Sequence, residues 1–401
     1  MSEISVARQP IFDQQMQVYA YELLFRPTGG EGGGASVEDG DSATSNVIIN
    51  TFVNIGLDRI VGDHLAFINL TRLFLSNPDL IMLPPEQLVL EVLEDVEPGA
   101  SLLDGLRSIR ERGYRLALDD FVYHERFEPM IELADIIKID VLDMEPEAIE
   151  RLVQKIRRPG MKLLAEKVET FEEYEFLKSL GFDYYQGYFF ARPTLVQGRT
   201  LSASQVAVLE LVAKVNDPQV EIDDLADIIR ADVSLSHKML KFINSPVSGL
   251  RTEVDSVQQA VVLLGLATIK NWVTILALAN NSNKPSELNV TALIRARTCE
   301  LLARAAELPR PERFFTVGLF SCLDAMMDQP LQELIEDLPL PEESKQALLD
   351  HSGEQGEALA CALMMEQGDF GRVGFAELDL PRMSDLYLEA IHWTDEMMRQ
   401  F

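Results

Sequence analysis

The sequence is poor in the residues that would point to a secreted, membrane-spanning or zinc-binding protein. Its 401 residues include only three cysteines, Cys299, Cys322 and Cys361. That odd number, with no ligand-like spacing, argues against a disulfide framework or a zinc site and for a reducing, cytoplasmic compartment. There are five histidines, and they do not cluster. No apolar run is long enough to span a bilayer: the best stretch, 257–280, is interrupted by Gln258, Gln259, Lys270 and Asn271. No basic-then-apolar signal opens the chain. Positive charge is scarce as well. With 35 Lys and Arg against 65 Asp and Glu, the formal charge is −30, which excludes a general nucleic-acid-binding surface. It still allows a small anionic ligand held through metal ions and a few arginines. A P-loop and a GxGxxG after a strand are both missing.

What the chain does have is acids at strand ends. YRLALDD (114–120) reads as a short apolar strand running into Asp119 and Asp120. Two neighbouring carboxylates against an apolar wall repel one another, and a divalent cation is the usual remedy. An acidic turn or a helix cap would explain one such pair equally well. The same pattern recurs, however, through residues 1–198. Segment 8–27 reads as two strands around a polar turn at Asp13–Gln17, the second carrying Glu22. A Gly-rich acidic loop (29–42) leads to an amphipathic helix over 43–58. Strand 65–71 carries Asn69, and strand 88–94 carries Glu91 and Glu94. Helix 100–112 stops at Gly113. Strand 135–140 carries Lys138 and Asp140, helix 146–157 opens with proline, and strand 162–169 carries Glu166 and Glu169. Thr170 caps helix 171–180, and 182–193 carries Gln186.

Repeated strand–helix alternation predicts an α/β protein with a parallel sheet. Polar residues at the C-terminal end of one strand after another favour a TIM-like barrel over an open sheet with a single switch point. Carboxylates and an amide converging there form an oxygen-rich nest suited to Mg²⁺ or Mn²⁺. Two such ions side by side serve phosphoryl-ester displacement.

From 199 onwards strand patterns disappear and an all-α domain is expected. Its helices are placed at 203–216, 223–231, 234–244, 255–264, 266–280, 290–307, 312–328, 341–350, 354–367 and 384–398, with Asp255 and Gln258 forming a capping box.

The order of these motifs resembles an EAL domain, the barrel that hydrolyses the bacterial second messenger cyclic di-GMP to linear pGpG. Gln9-Pro10-Ile11, Glu22-Leu23-Leu24, INLT, EVLE, Asp119-Asp120, KID, AEKVE (the family's AEGVE) and QGY fall in the family's sequence. The resemblance implies Glu22, Asn69, Glu91, Asp119 and Asp120 as ligands of two metal ions. It makes Glu166 the general base, with Lys138 beside the attacking water. Arg26 and Gln186 become substrate contacts, and Glu94, Glu169 and Asp140 supports. One departure stands out. Val122-Tyr123-His124 replaces a GTG-like loop, whose glycines permit φ > 0, so this loop is expected to take another shape.

The second half resembles an HDOD domain through 231–245 and 260–265. Where an HD phosphohydrolase carries adjacent His and Asp, GLFSCLD (318–324) offers Ser321 and Cys322, which are poor ligands for a hard metal. This half is expected to be non-catalytic and to act as a regulatory output module through an unidentified protein partner; a homodimer is also allowed. Two functions stay open. One is metal-dependent hydrolysis of cyclic di-GMP, supported by the full ligand set. The other is an inactive cyclic di-GMP receptor or scaffold acting through protein–protein interaction, supported by the altered loop.

Overall fold

The computed structural model describes residues 4–27, 56–70, 74–75, 77–81, 84–93, 96, 98–192, 201–245, 254, 256–279, 284–336 and 338–399. The helix expected over 43–58 lies almost wholly outside them. The chain divides into two compact units, Met1–Phe189 with Glu366–Phe370, and Phe190–Met365 with Gly371–Phe401.

The first unit is a closed eight-stranded barrel. Its strands are β1 (Ile4–Asp13), β2 (Val18–Pro27), β3 (Leu65–Leu70), β4 (Leu88–Val92), β5 (Arg115–Leu118), β6 (Ile136–Asp140), β7 (Lys162–Glu166) and β8 (Tyr184–Gln186). β2 to β8 run parallel, whereas β1 is antiparallel to both of its neighbours, β2 and β8. The reversal comes from a tight hairpin. Asp13 Oδ1 accepts from the Gln15 and Gln17 amides at 2.8 and 2.9 Å, and Met16 takes φ 61°.

The crossover helices are amphipathic. In α1 (Ala100–Glu111), Leu102, Leu106 and Ile109 are buried; in α2 (Pro146–Ile156), Ile149, Val153 and Ile156. This spacing gives one apolar face against the sheet. Pro146 sits in the first turn of α2, where its missing N–H costs nothing. A reciprocal Thr170–Glu173 capping box starts α3 (Phe171–Ser179).

The barrel interior follows from the two-residue repeat of a strand. Ile11, Ala20, Phe67, Val89, Ala117, Ile136 and Leu164, with Tyr184 packed against them, form an apolar plug to which each of the eight strands contributes one side chain. The next inward position on each strand lies two residues further towards the barrel mouth. Those positions are Gln9 (on reversed β1), Glu22, Asn69, Glu91, Asp119, Lys138, Glu166 and Gln186. An apolar floor therefore carries a ring of polar residues, and one parity rule places them all.

The second unit is helical: α4 (Ala203–Asn216), α5 (Ile222–Ala231), α6 (Val233–Ile243), α7 (Val257–Leu264), α8 (Leu266–Ala279), α9 (Ser286–Ala305), α10 (Pro311–Phe320), α11 (Leu323–Met327), α12 (Leu331–Glu336), α13 (Glu342–Asp350), α14 (Gly353–Gln367) and α15 (Leu380–Met398). Helix α9 is buried along most of its length and packs against α10 and α15. Gly318 of α10 permits the crossing, since a Cβ there would lie 2.6 Å from the Ala296 backbone.

Several expectations change, among them the start of α9, at Ser286 rather than 290. The helix expected over 312–328 is two helices. Ser321 Oγ donates to the Gly318 carbonyl at 2.7 Å, and Cys322 takes a non-helical ψ of 7° at the break. The cap of α7 is Ser256, whose Oγ accepts from the Gln259 amide, one residue after the expected box; Asp255 lies outside the described residues. Helix α15 begins at Leu380 rather than 384, because Asp379 caps it by accepting from the Arg382 amide at 2.9 Å.

Candidate metal centre in the barrel mouth

The polar ring converges on one ammonium. Lys138 Nζ, with no exposed side-chain surface, lies 2.6 Å from Glu91 Oε1, 2.6 Å from Asp119 Oδ1, 2.9 Å from Glu166 Oε1 and 3.3 Å from Glu22 Oε2. Gln186 Nε2 completes the ring, donating to Glu22 Oε2 at 2.7 Å and to Gln9 Oε1 at 3.1 Å. Lys138 therefore does not pair with its near neighbour Asp140. It sits two residues earlier on β6, on the inward parity.

One cation faces four buried carboxylates, and the electrostatics follow. Burial alone would lower the Lys138 pKa, but the surrounding carboxylates outweigh it and hold the ammonium well above its usual range. Burial pushes the Glu91 carboxyl up, and Glu22 adds to the rise, against the partial offset of Lys138. Glu166 is pushed up to about 8, mainly by burial, with repulsion from Asp119 and Glu22 opposing the pull of Lys138. The nest is short of positive charge.

The donors fit a hard divalent cation. Oxygens of Glu22, Glu91 and Asp119 lie within 4.8 Å of one another. Asn69 Oδ1, Glu91 Oε2 and Glu166 Oε2 are buried without a hydrogen-bond donor. Uncompensated buried acceptors are costly, and an oxygen-seeking ion would satisfy them.

A cavity of about 400 Å³ opens above the ring, lined by Glu22, Asp119, Asp120, Glu166 and Gln186 among others. Asp119 and Asp120 occupy different levels. Asp119 is held inward while its amide donates to the Val92 carbonyl, whereas Asp120 takes φ 43° and is exposed. This bend supplies the left-handed residue of the loop. Val122, Tyr123 and His124 are not among the described residues with positive φ. Tyr123 Oη instead donates to Glu128 Oε1 at 2.8 Å, Lys155 Nζ lies 3.9 Å from the Tyr123 ring centroid, and His124 Nδ1 accepts from the Arg126 amide. The loop is anchored by these side chains rather than by glycines.

At the rim Asp140 pairs with Lys167, a residue the motif reading passed over. Gly187 (φ 146°) lets β8 approach the loop that leaves the neighbouring strand β7, where Val168 N donates to the Gln186 carbonyl at 3.0 Å; a Cβ at Gly187 would lie 2.1 Å from Val168 O. The Glu169 amide donates to Glu173 Oε2, tying that residue to the start of α3. Arg26 lies on β2, but its side chain, like all of Glu94, is outside the described residues. Gln9 was legible only as part of the opening motif. Its parity with Glu22, its partner across the hairpin, was the signal for its place in the ring.

In the helical unit, the break between α10 and α11 is faced by a buried guanidinium. Arg295 Nη1 lies 3.3 Å from Cys322 Sγ and 3.4 Å from Ser321 Oγ. A cation beside these two residues opposes metal binding there, in keeping with the ligand types the sequence offers.

Comparison with known proteins matches two family models to successive parts of the chain. The EAL domain model matches residues 2–193 and the HDOD domain model residues 201–366. The barrel is thus an EAL domain and the helical unit carries an HDOD domain. Two relatives match nearly end to end. The protein YuxH of Bacillus subtilis is 36% identical over 98% of this chain and 99% of its own. The cyclic di-GMP phosphodiesterase CdgJ of Vibrio cholerae is 34% identical over 98% of this chain and 93% of its own. The chain belongs to the EAL–HDOD family of proteins. Among solved structures, a manganese and cyclic di-GMP complex of BlrP1 from Klebsiella pneumoniae is 25% identical with a TM-score of 0.39, over 47% of this chain and 55% of that one. The cyclic di-GMP complex of the phosphodiesterase PaMucR is 23% identical with a TM-score of 0.40, over 51% of this chain and 99% of that one.

Proposed function

We propose that the barrel is a divalent-metal-dependent phosphodiesterase that opens cyclic di-GMP to linear pGpG, and that the helical unit is a non-catalytic output module. The observation that carries this reading is the inward ring itself: four buried carboxylates, two amide oxygens without a donor (Asn69 and Gln186) and one lysine at the mouth of a closed barrel. A relative named as a cyclic di-GMP phosphodiesterase, aligned over nearly the whole chain, supports the choice of substrate.

Glu22, Asn69, Glu91, Asp119 and Asp120 would hold the ions, Mg²⁺ or Mn²⁺, two being expected. When bound, these supply positive charge to the phosphoryl oxygens and acidify a water. Glu166 takes the proton of the attacking water on its carboxylate; burial and neighbouring acids raise its pKa in the metal-free nest, and bound cations would favour the ionised form that serves as base. Lys138 holds the water and balances the carboxylates around it. Gln186 fixes Glu22 through its amide, and its position in the cavity wall also suits it to contact substrate. Arg26 would grip a phosphate in two-pronged fashion. Asp140, Glu169 and Glu94 support the loops that carry these groups. Partner recognition by the helical unit, self-association into a homodimer and action in the cytoplasm belong to the same proposal. Among the described residues no helix is long and apolar enough to cross a membrane.

The test is Glu166→Gln in the full chain. Loss of turnover by at least a hundredfold with retained cyclic di-GMP binding supports the enzyme. Binding by the wild type without turnover in either metal establishes a receptor instead, and neither binding nor turnover leaves a scaffold.

A further inference from the structure

Lys167 stands next to Glu166, where the EAL motif AEGVE has glycine, and it keeps the glycine-like backbone with φ 56°. A side chain in that left-handed region is strained. Lys167 Nζ reaches across the rim to Asp140 Oδ2, with about half its side chain exposed. An exposed pair of this kind adds little to stability, so it does not account for a strained lysine at the edge of the site.

The cavity supplies a better account. Its lining includes five carboxylates, Glu22, Asp119, Asp120, Glu166 and Glu169, and Lys167 is the one basic side chain among the described residues lining it. Lys138, fully buried and paired with four acids, is not part of that lining. A dianionic substrate entering there meets carboxylates that the bound ions would only partly offset, and among the described lining residues Lys167 is the cation at the entrance.

We infer that Lys167 is a substrate-binding residue, its ammonium moving from Asp140 to a phosphodiester oxygen of the bound dinucleotide. This rests on the proposed function and deepens it. The lysine replaces a glycine, so the reverse change Lys167→Gly restores the residue suited to the backbone and folds without penalty.

The experiment is calorimetric titration of cyclic di-GMP into the calcium-loaded full chain, beside steady-state hydrolysis with Mn²⁺. Loss of a charge-assisted contact predicts that Lys167→Gly and Lys167→Gln weaken binding and raise KM by roughly ten- to a hundredfold. Lys167→Arg should stay within about threefold of wild type, kcat should change less than about threefold throughout, and Tm for Lys167→Gly should hold or rise. Lys162→Gln removes the same charge from the opposite end of β7 and should leave binding within about twofold. If the wild type binds and Lys167→Gly binds as tightly, the role of Lys167 is overturned while the function stands. If the wild type neither binds nor hydrolyses cyclic di-GMP, the function itself is overturned, and the inference with it.

Discussion

Lys138 Nζ lies 2.6 Å from Glu91 Oε1, and neither side chain has exposed surface. A buried pair need not stabilise relative to an apolar replacement of both partners, but removing one partner leaves the other charge uncompensated. Here the ammonium also faces Asp119, Glu166 and Glu22. Lys138→Met should therefore cost about 3 kcal/mol or more in urea unfolding with EDTA present. Added Mg²⁺ or Mn²⁺ should recover much of that loss, by replacing the missing positive charge.

The acids in this nest make the stability of the metal-free chain depend on pH in a definite direction. The Glu166 carboxyl is raised from an ordinary 4.5 to about 8, and Glu91 is raised as well. The folded state therefore holds more protons than the unfolded state between those values. This contribution is fully present below pH 4.5 and is lost as pH rises towards 8. Thermal scans in EDTA should show Tm falling through that window relative to Glu166→Gln, which lacks this titration.

The same raised carboxyls imply that cation binding displaces protons. At pH 7, titration of Mg²⁺ or Mn²⁺ in two buffers of different ionisation enthalpy should give different apparent heats, corresponding to net proton release. Glu166→Gln should release fewer protons. Identical heats in both buffers would contradict the description of the nest.

Gly187 allows the β8 exit to lie against the Val168 backbone, which in turn sets Gln186 beside Glu22. Gly187→Ala should destabilise the barrel by about 1–3 kcal/mol through this overpacking. It should also lower turnover by tenfold or more, since Glu22 loses its positioned donor. Denaturation and turnover assays on the same preparation check both.

The loop after the aspartates should matter less than its departure from the glycine pattern suggests. The left-handed residue is Asp120, while Val122 is 77% exposed and ordinary in φ. Val122→Gly should leave kcat within about threefold, whereas Asp120→Ala should lower turnover by at least tenfold.

Much of the barrel could be read from the sequence because strand parity is a local property. Once Glu91, Lys138 and Glu166 are placed near strand ends, the two-residue repeat puts them on the inward face. What the sequence does not show is which inward groups meet. Lys138 could have paired with Asp140, two positions along; only barrel closure brings Glu22, Glu91, Asp119 and Glu166 around it. Lys167 escaped notice because a lysine within a motif looks like an ordinary surface charge until its backbone angle is known. In the helical unit the break at Ser321–Cys322 was hidden, since both residues are tolerated within helices and the interruption depends on a side-chain bond to Gly318 and the approach of Arg295. Helix α12 was not legible because its six residues give too short a period to recognise.

The central claim is tested most directly by incubating the purified full chain with cyclic di-GMP and either Mg²⁺ or Mn²⁺ and separating the products by chromatography. The account predicts linear pGpG with at least one of these metals, none in EDTA, and none from Glu22→Ala that remains folded by circular dichroism. Intact cyclic di-GMP with both metals, from wild-type chain that still binds it, would contradict the account.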